Sequence, residues 1–159
     1  VLYFLRLWHY RDMNKPAKMK PTAQKVRENS IGWMLKMLCG RLDSDMTKEL
    51  QQLGLNLGQF AVLMTLLEEE GLTQAEIGSK IVMPGYATTR NIDALEVMQI
   101  VERRKDERSR RSYRIHLTGQ GHKIGPKLFK TVGNINEKLL SPLDASEQKQ
   151  FLELLQKVL

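Results

Sequence analysis

Cysteine, histidine and long apolar runs are scarce in this sequence, and each scarcity excludes a class of protein. One cysteine, Cys39, among 159 residues cannot form an internal disulfide framework. That cysteine and three histidines are too few soft ligands for a zinc-finger or zinc-ribbon site. No long uncharged apolar run is present, which argues against a membrane span. We therefore expect a cytoplasmic protein that holds no metal and no cofactor.

The first residues do not have the pattern of a targeting signal. Residues 1–8 are apolar apart from Arg6, and the basic residues follow this stretch, whereas a secretory signal places them before it. Residues 15–21 are basic and contain two prolines, which disfavour a helix. We interpret residues 1–24 as an N-terminal arm outside the core.

Positive charge exceeds negative charge, and the excess is concentrated in one segment. Lys and Arg number 25 against 18 for Asp and Glu, so the formal net charge is +7. Residues 101–116 hold seven basic and three acidic residues, a local excess of 7 − 3 = +4. Such a segment favours a polyanionic partner, and the plain alternative is a solvated loop with no partner.

A long helical pattern begins near residue 26 and extends to about residue 53. Apolar residues recur in it at steps of three and four. Trp33, Met34 and Met37 add a second apolar face in the first half. Because a helix that is apolar on two sides must bury both, we expect one side to pack on its own domain and the other on a partner chain. The same three residues are weaker candidates for a small-molecule pocket.

The next segment has the signals of a helix-turn-helix. Capping-box patterns at Asn56 and Thr73 each predict the start of a helix, and the second helix is short, ending near Ile81. Pro84, a residue favoured at a first helical position, begins another helix that extends to about residue 98. A connection of only two residues between the last two helices is typical of a helix-turn-helix.

A change of period after residue 99 predicts two strands. Residues 100–104 and 112–117 fit strands, the second with strict alternation, and the connection between them is wholly polar. A hairpin with a charged tip directly after a helix-turn-helix is a wing. Two further helices follow, one capped by Thr118 and one by a capping box at Asp144.

The predicted fold is therefore mainly α with a small β-hairpin wing. We place a winged helix-turn-helix DNA-binding domain at residues 54–117. A helical dimerisation region is expected from residues 25–53 and 118–159, because the first and last helices carry more apolar surface than one short bundle can hide.

Two surfaces are candidates for contact with DNA. The N-terminal turns of the second helix of a helix-turn-helix contact base edges. Thr can contact several bases there, and Arg can bind guanine or a phosphate. Arginines on the tip of a wing suit the narrow minor groove. The candidate residues are Tyr86, Thr88, Thr89 and Arg90 on the helix and Arg108, Arg110 and Arg111 on the wing.

Other signals are weak. Residues 119–121 resemble the start of a nucleotide-binding fingerprint, but its third glycine is replaced by Ile124. Because Cys39 has apolar neighbours, we expect it to be buried and inert, with a redox sensor as the minor alternative. No paired carboxylates, nucleophile–base set or metal cluster stands out, so we expect no enzymatic activity.

The order of these parts and their residues resembles the MarR family of winged helix-turn-helix regulators. Residues 89–96 (Thr-Arg-Asn-Ile-Asp-Ala-Leu-Glu) resemble its recognition-helix segment, and residues 100–103 its first wing strand. Residues 110–121 resemble its second strand and the helix that follows. The resemblance implies an obligate homodimer of triangular shape on a pseudo-palindromic operator, with repression or activation often relieved by a small aromatic or anionic ligand.

Two positions depart from the family pattern. Ser109 stands where the family has an acidic residue that braces the wing arginine, for which Asp106 or Glu107 is a candidate substitute. Gln99 stands where the family has glycine after the recognition helix, and a left-handed conformation there costs about 1 kcal/mol for a residue with a side chain.

Two functions of different classes follow from the sequence. The first is a homodimeric, sequence-specific transcriptional regulator that binds double-stranded DNA, with repression favoured and a small-molecule effector as its expected regulator. The second is a winged-helix module that docks to another protein without specific DNA binding. A shift assay with competitor DNA separates the two.

Overall fold

The computed structural model of the chain describes residues 22–106 and 109–159, without the side chains of residues 109–111. The predicted N-terminal arm therefore lies outside the described residues, apart from residues 22–24. The described residues divide into two compact units, the first within residues 22–38 and the second within residues 39–159.

In the first unit, the predicted continuous helix is interrupted. Helix α1 is Ala23–Glu28, and α2 begins only at Ile31. The Asn29 side-chain amide donates to the Lys25 carbonyl at 2.8 Å, which ends α1. The Ser30 hydroxyl oxygen accepts from the Trp33 N–H at 3.3 Å, which begins α2. Short polar side chains that bond to the backbone compete with helix propagation, and this is why the prediction of one helix was wrong.

The second unit contains the predicted helix-turn-helix and wing. Helix α2 (Ile31–Gln52) continues into it, and the elements that follow are α3 (Leu57–Glu68), β1 (Leu72–Thr73), α4 (Gln74–Lys80), α5 (Gly85–Val97), β2 (Val101–Asp106), β3 (Ser109–Leu117), α6 (Gly119–Leu140) and α7 (Ala145–Val158). Strand β1 was not predicted, because two residues are too few for an alternating pattern.

The three predicted capping boxes are all present. At the starts of α3, α4 and α7, the cap side chain accepts from the backbone N–H of the third helical residue, and that residue's side chain accepts from the cap N–H. Thr118 caps α6 by accepting from the Gly121 N–H at 3.1 Å. Pro84 lies one position before its predicted place, as the cap residue of α5 and not its first residue.

The three strands form one antiparallel sheet in the order β1-β3-β2. Leu72 of β1 lies opposite Ile115 of β3, and Arg103 of β2 lies opposite the same residue from the other side. The core lies between this sheet and the helices around it, and its buried members are Leu50, Leu55, Val62, Leu63, Leu66, Leu72, Ile77, Ile92, Leu95, Ile100, Val101, Ile115, Leu117 and Leu128.

Within the described part of the chain, no single helix is long and apolar enough to cross a membrane. Helices α2 and α3 together have the length and apolar composition that a membrane span requires, but they are bent by 81° relative to each other.

The turn after α5 has the strained conformation that its sequence predicts. Gln99 has φ = +57°, a left-handed conformation in which Gly has no steric penalty. We expect Gln99→Gly to raise the free energy of unfolding by about 0.5–1 kcal/mol, because glycine relieves the strain of the left-handed conformation. The gain is smaller than the full strain energy, because glycine also increases the conformational entropy of the unfolded chain. Urea unfolding measures this difference. Gln99→Ala keeps the strain, so equal stability of the Gly and Ala variants would contradict the expectation.

Candidate nucleic-acid interface

Helices α4 and α5 meet at a point where only small groups fit. A Cβ atom on Gly78 of α4 would lie 2.8 Å from the Thr88 hydroxyl oxygen and 3.1 Å from the Met83 carbonyl oxygen. The close approach fixes α5 against α4, and α4 is itself fixed at its N-terminus by the capping box of Thr73 and Glu76. Hydrogen bonds from the Thr73 backbone N–H and hydroxyl, at 2.7 and 2.9 Å, lower the pKa of the Glu76 carboxyl.

Thr88 belongs to this packing and not to the exposed face, so its prediction as a DNA contact was wrong. The residue is 0 % exposed, and its hydroxyl donates to the carbonyl oxygen of Pro84 at 3.1 Å. Its spacing explains the burial, since Thr88 precedes the buried Ile92 by four positions and Leu95 by seven, on one face of the helix.

Replacing Thr88 by valine is therefore expected to affect stability and not base preference. The substitution keeps the shape and removes the buried hydroxyl with its hydrogen bond, which costs about 1 kcal/mol of unfolding free energy. Chemical denaturation measures the loss. If the variant instead kept its stability and changed its preference at one base pair, the assignment of Thr88 to the interior would be contradicted.

The other predicted residues of α5 lie on or near the surface. Tyr86 is 80 % exposed, Arg90 is exposed, and Thr89 is half-buried. The Thr89 hydroxyl donates to the Gly85 carbonyl oxygen at 2.9 Å and accepts a hydrogen bond from the side-chain amide of Gln74. Gln74, the first residue of α4, was not predicted from the sequence, because a contact between residues 15 positions apart in two different helices has no local pattern.

Arg103 joins the wing to α5. Its guanidinium forms ion pairs with the carboxylates of Asp93 and Glu96, and its backbone N–H donates to Glu96 at 3.3 Å. Partial burial acts to lower the pKa of Arg103, and the hydrogen bonds and charges of the two carboxylates outweigh it and raise the pKa. The Arg103 guanidinium therefore stays charged, and its ion pairs hold β2 against the C-terminal half of α5.

Two more arginines of the basic segment also have partners inside the chain. Arg114 donates to the Gly71 carbonyl oxygen at 2.6 Å and pairs with Asp106 at 3.1 Å. Arg104 pairs with Glu102 on its own strand. The local excess of positive charge thus includes residues that brace the wing, and Asp106, a candidate brace for the wing arginines, lies against Arg114.

Two of the predicted wing arginines, Arg110 and Arg111, lie at an irregular step of the hairpin. Lys105 pairs with Tyr113, and the next residue of β2, Asp106, pairs with Ser109. Strand β3 therefore contains three extra residues, 110–112, between two consecutive pairing positions of β2. Arg110 and Arg111 belong to those residues, and a bulge of this kind re-aims the chain. Arg108 lies outside the described residues, as do the side chains of Arg110 and Arg111.

The candidate ligand residues Trp33, Met34 and Met37 are all exposed on α2. The Arg27 guanidinium carbon lies 5.4 Å from the centre of the Trp33 ring, a cation–π contact. Cys39 is exposed, so its predicted burial was wrong for the single chain. Every residue of α2 is described, and Leu50 is the only one that is buried. Cys39 therefore shares the exposure of most of this helix.

These elements define a winged helix-turn-helix domain whose second helix exposes its N-terminal turns. The sequence profile of the MarR family matches residues 55–113. The chain is 32% identical over 111 residues to the HTH-type transcriptional regulator BilQ of Clostridium symbiosum, covering 69% of this chain and 76% of that protein. The chain belongs to the MarR family, a family of transcriptional regulators.

Two further relatives extend the comparison. The transcriptional repressor MprA of Escherichia coli is 27% identical over 132 residues, which cover 79% of this chain and 75% of MprA. A crystal structure of a cysteine-to-serine variant of MarR from Escherichia coli in complex with operator DNA superimposes with a TM-score of 0.72 at 27% identity. That match covers 81% of this chain and 93% of the MarR chain.

Proposed function

We propose that this protein is a homodimeric, sequence-specific DNA-binding regulator that represses transcription from a pseudo-palindromic operator in the cytoplasm. The observation that carries the proposal is the division of α5 into two sides. Thr88, Ile92 and Leu95 are buried, while Tyr86 and Arg90 face outward from the N-terminal turns. An outward-facing arginine and tyrosine at that end of a second helix support contact with base edges in the major groove.

The wing completes the proposed interface. Arg103 and Arg114 fix the strands to the rest of the domain, and Lys105 is exposed near the tip. In the proposal, Arg108, Arg110 and Arg111 contact phosphates and the minor groove on either side of the tip. The related MarR structure with operator DNA supports this assignment by similarity of fold and sequence.

The dimer is proposed from helices that have little to pack against in one chain. Helix α7 contains no buried residue although Leu152, Leu154 and Val158 lie along it. A groove of about 500 Å³ between α6 and α7 is lined by apolar side chains, among them Leu139 and Phe151. Burial of such surface against a second copy would stabilise both chains. We accordingly assign residues 25–53 and 118–159 to dimerisation and residues 54–117 to DNA binding.

Repression and its relief are the regulatory part of the proposal. Repression is supported by the relative MprA, which is named a transcriptional repressor. A small aromatic or anionic effector would release the DNA. Trp33, Met34 and Met37 are the candidate residues for it, and their exposure on α2 favours a role in the dimer contact over a pocket.

Selection of bound sequences from a random pool of duplex DNA tests the proposal. The expected result is a two-fold symmetric consensus, with half-sites about one helical turn apart as in dimeric helix-turn-helix proteins. Equilibrium sedimentation at micromolar protein is expected to give about twice the chain mass of 18.4 kDa. A pool that remains random after selection, with no preference over competitor DNA, would favour the protein-docking module instead.

A further inference from the structure

Thr89 and Gln74 form a hydrogen-bonded link between α4 and α5 at the proposed DNA-binding face. The link has two bonds, one from the Gln74 side-chain amide to the Thr89 hydroxyl oxygen and one from that hydroxyl to the Gly85 carbonyl oxygen, 2.9 Å away. Both side chains are half-buried, so part of each remains accessible.

The direction of both hydrogen bonds is set by chemistry. A hydroxyl has one hydrogen and two lone pairs, and a backbone carbonyl only accepts. The Thr89 hydroxyl therefore donates its one hydrogen to the Gly85 carbonyl oxygen. Gln74 must then donate to the hydroxyl oxygen through its amide nitrogen. The hydroxyl keeps one free lone pair and has no hydrogen left to donate to DNA.

The same link orients the Thr89 methyl group. A threonine in a helix divides between two χ1 rotamers, because its hydroxyl bonds to the carbonyl three or four residues earlier. Gln74 stabilises the rotamer whose oxygen faces α4, so the methyl group turns away from Gln74. What Thr89 offers to a ligand is a methyl group and one acceptor.

This combination matches one kind of base pair. In the major groove an A·T pair presents the thymine C5-methyl group beside the adenine amino donor, whereas a G·C pair presents the cytosine amino donor and no methyl group. We propose that Gln74 is a positioning residue for base preference, which holds Thr89 so that it reads the thymine methyl of one A·T pair in each half-site. This inference rests on the proposed function, since it assigns a base class to the same face.

The test removes single methyl groups from the DNA. Each thymine of one half-site of the selected operator is replaced in turn by deoxyuridine, which lacks only the C5-methyl, and binding is measured by fluorescence anisotropy. For the parent protein we expect about a fourfold loss of affinity at one thymine, the factor that corresponds to about 0.8 kcal/mol for one buried methyl.

Four variants separate positioning from a structural role. Gln74→Ala and Gln74→Met remove the donor, the second with nearly unchanged length, and both are expected to reduce the fourfold loss at that thymine to almost none. Thr89→Val has one strongly preferred helical rotamer and needs no hydroxyl partner, so it is expected to keep the discrimination. The double variant Gln74→Ala with Thr89→Val is expected to regain it.

Each outcome decides a different point. A parent protein that binds operator and scrambled DNA equally would overturn the proposed function and this inference together. A second outcome is specific binding in which the ratio of affinities for thymine and deoxyuridine operators is the same in the parent, Gln74→Ala and Gln74→Met. This would overturn the inference and leave the proposed DNA-binding function standing. Thermal unfolding of every variant shows whether it is folded, and loss of discrimination in a variant as stable as the parent supports positioning.

Discussion

Replacing Arg90 with alanine is expected to cost about 1–3 kcal/mol of binding free energy in each half-site and to relax the preference at one base pair there. Arg90 is exposed on α5, four positions after Tyr86 and on the face opposite to the buried Ile92 and Leu95. Its guanidinium has no ion-pair partner among the described residues, so it is available for guanine or a phosphate. In a homodimer the change occurs twice, and the total loss is expected to be about 2–6 kcal/mol.

Arg111→Ala is the matched comparison, because it removes the same charge from the wing. If the wing contacts phosphates, this variant should weaken binding to operator and scrambled DNA alike. It should also reduce the slope of log K against log salt by about 0.9 for each phosphate that the protein no longer neutralises. Titrations of both variants against both DNAs over a salt series give the comparison. Parent-like binding by both variants would mean that this face does not bind DNA.

The local parts of the fold could be predicted because each depends on a few neighbouring residues. The three capping boxes need only a cap residue and a Gln or Glu three positions later, as at Thr73 and Glu76. The wing was predicted from period-two alternation. The left-handed conformation of Gln99 was implied by the family resemblance, which places a glycine at that position. Such patterns have their physical cause within one element, and the sequence displays them directly.

The contacts between elements were harder to predict, and the errors follow from this. Cys39 has apolar neighbours, but its exposure depends on what covers α2, which its own helix does not encode. Gln74 and Thr89 meet only because Gly78 lets α4 and α5 approach closely. Thr88 is the intermediate case, since its spacing from Ile92 indicated burial while its polarity suggested the surface.

Replacing Gly121 with alanine is expected to destabilise the protein by about 2–3 kcal/mol. A Cβ atom at this position would lie 2.3 Å from the Ile100 carbonyl oxygen and 3.1 Å from a methyl group of Leu117. The carbonyl is backbone and cannot turn aside, and it already accepts from the Thr118 N–H at 3.0 Å. Relief of the clash therefore has to move the start of α6 away from the junction between α5 and β2.

Gly119→Ala is the control, two residues earlier in the same helical turn. A Cβ atom there would meet nothing within 4 Å, so this variant should be as stable as the parent or more stable by up to about 1 kcal/mol. Urea unfolding at one fixed protein concentration compares the three proteins, because the stability of the proposed dimer would depend on concentration. Equal stability of the two alanine variants would show that the start of α6 adjusts freely to the added Cβ atom, and it would contradict this expectation.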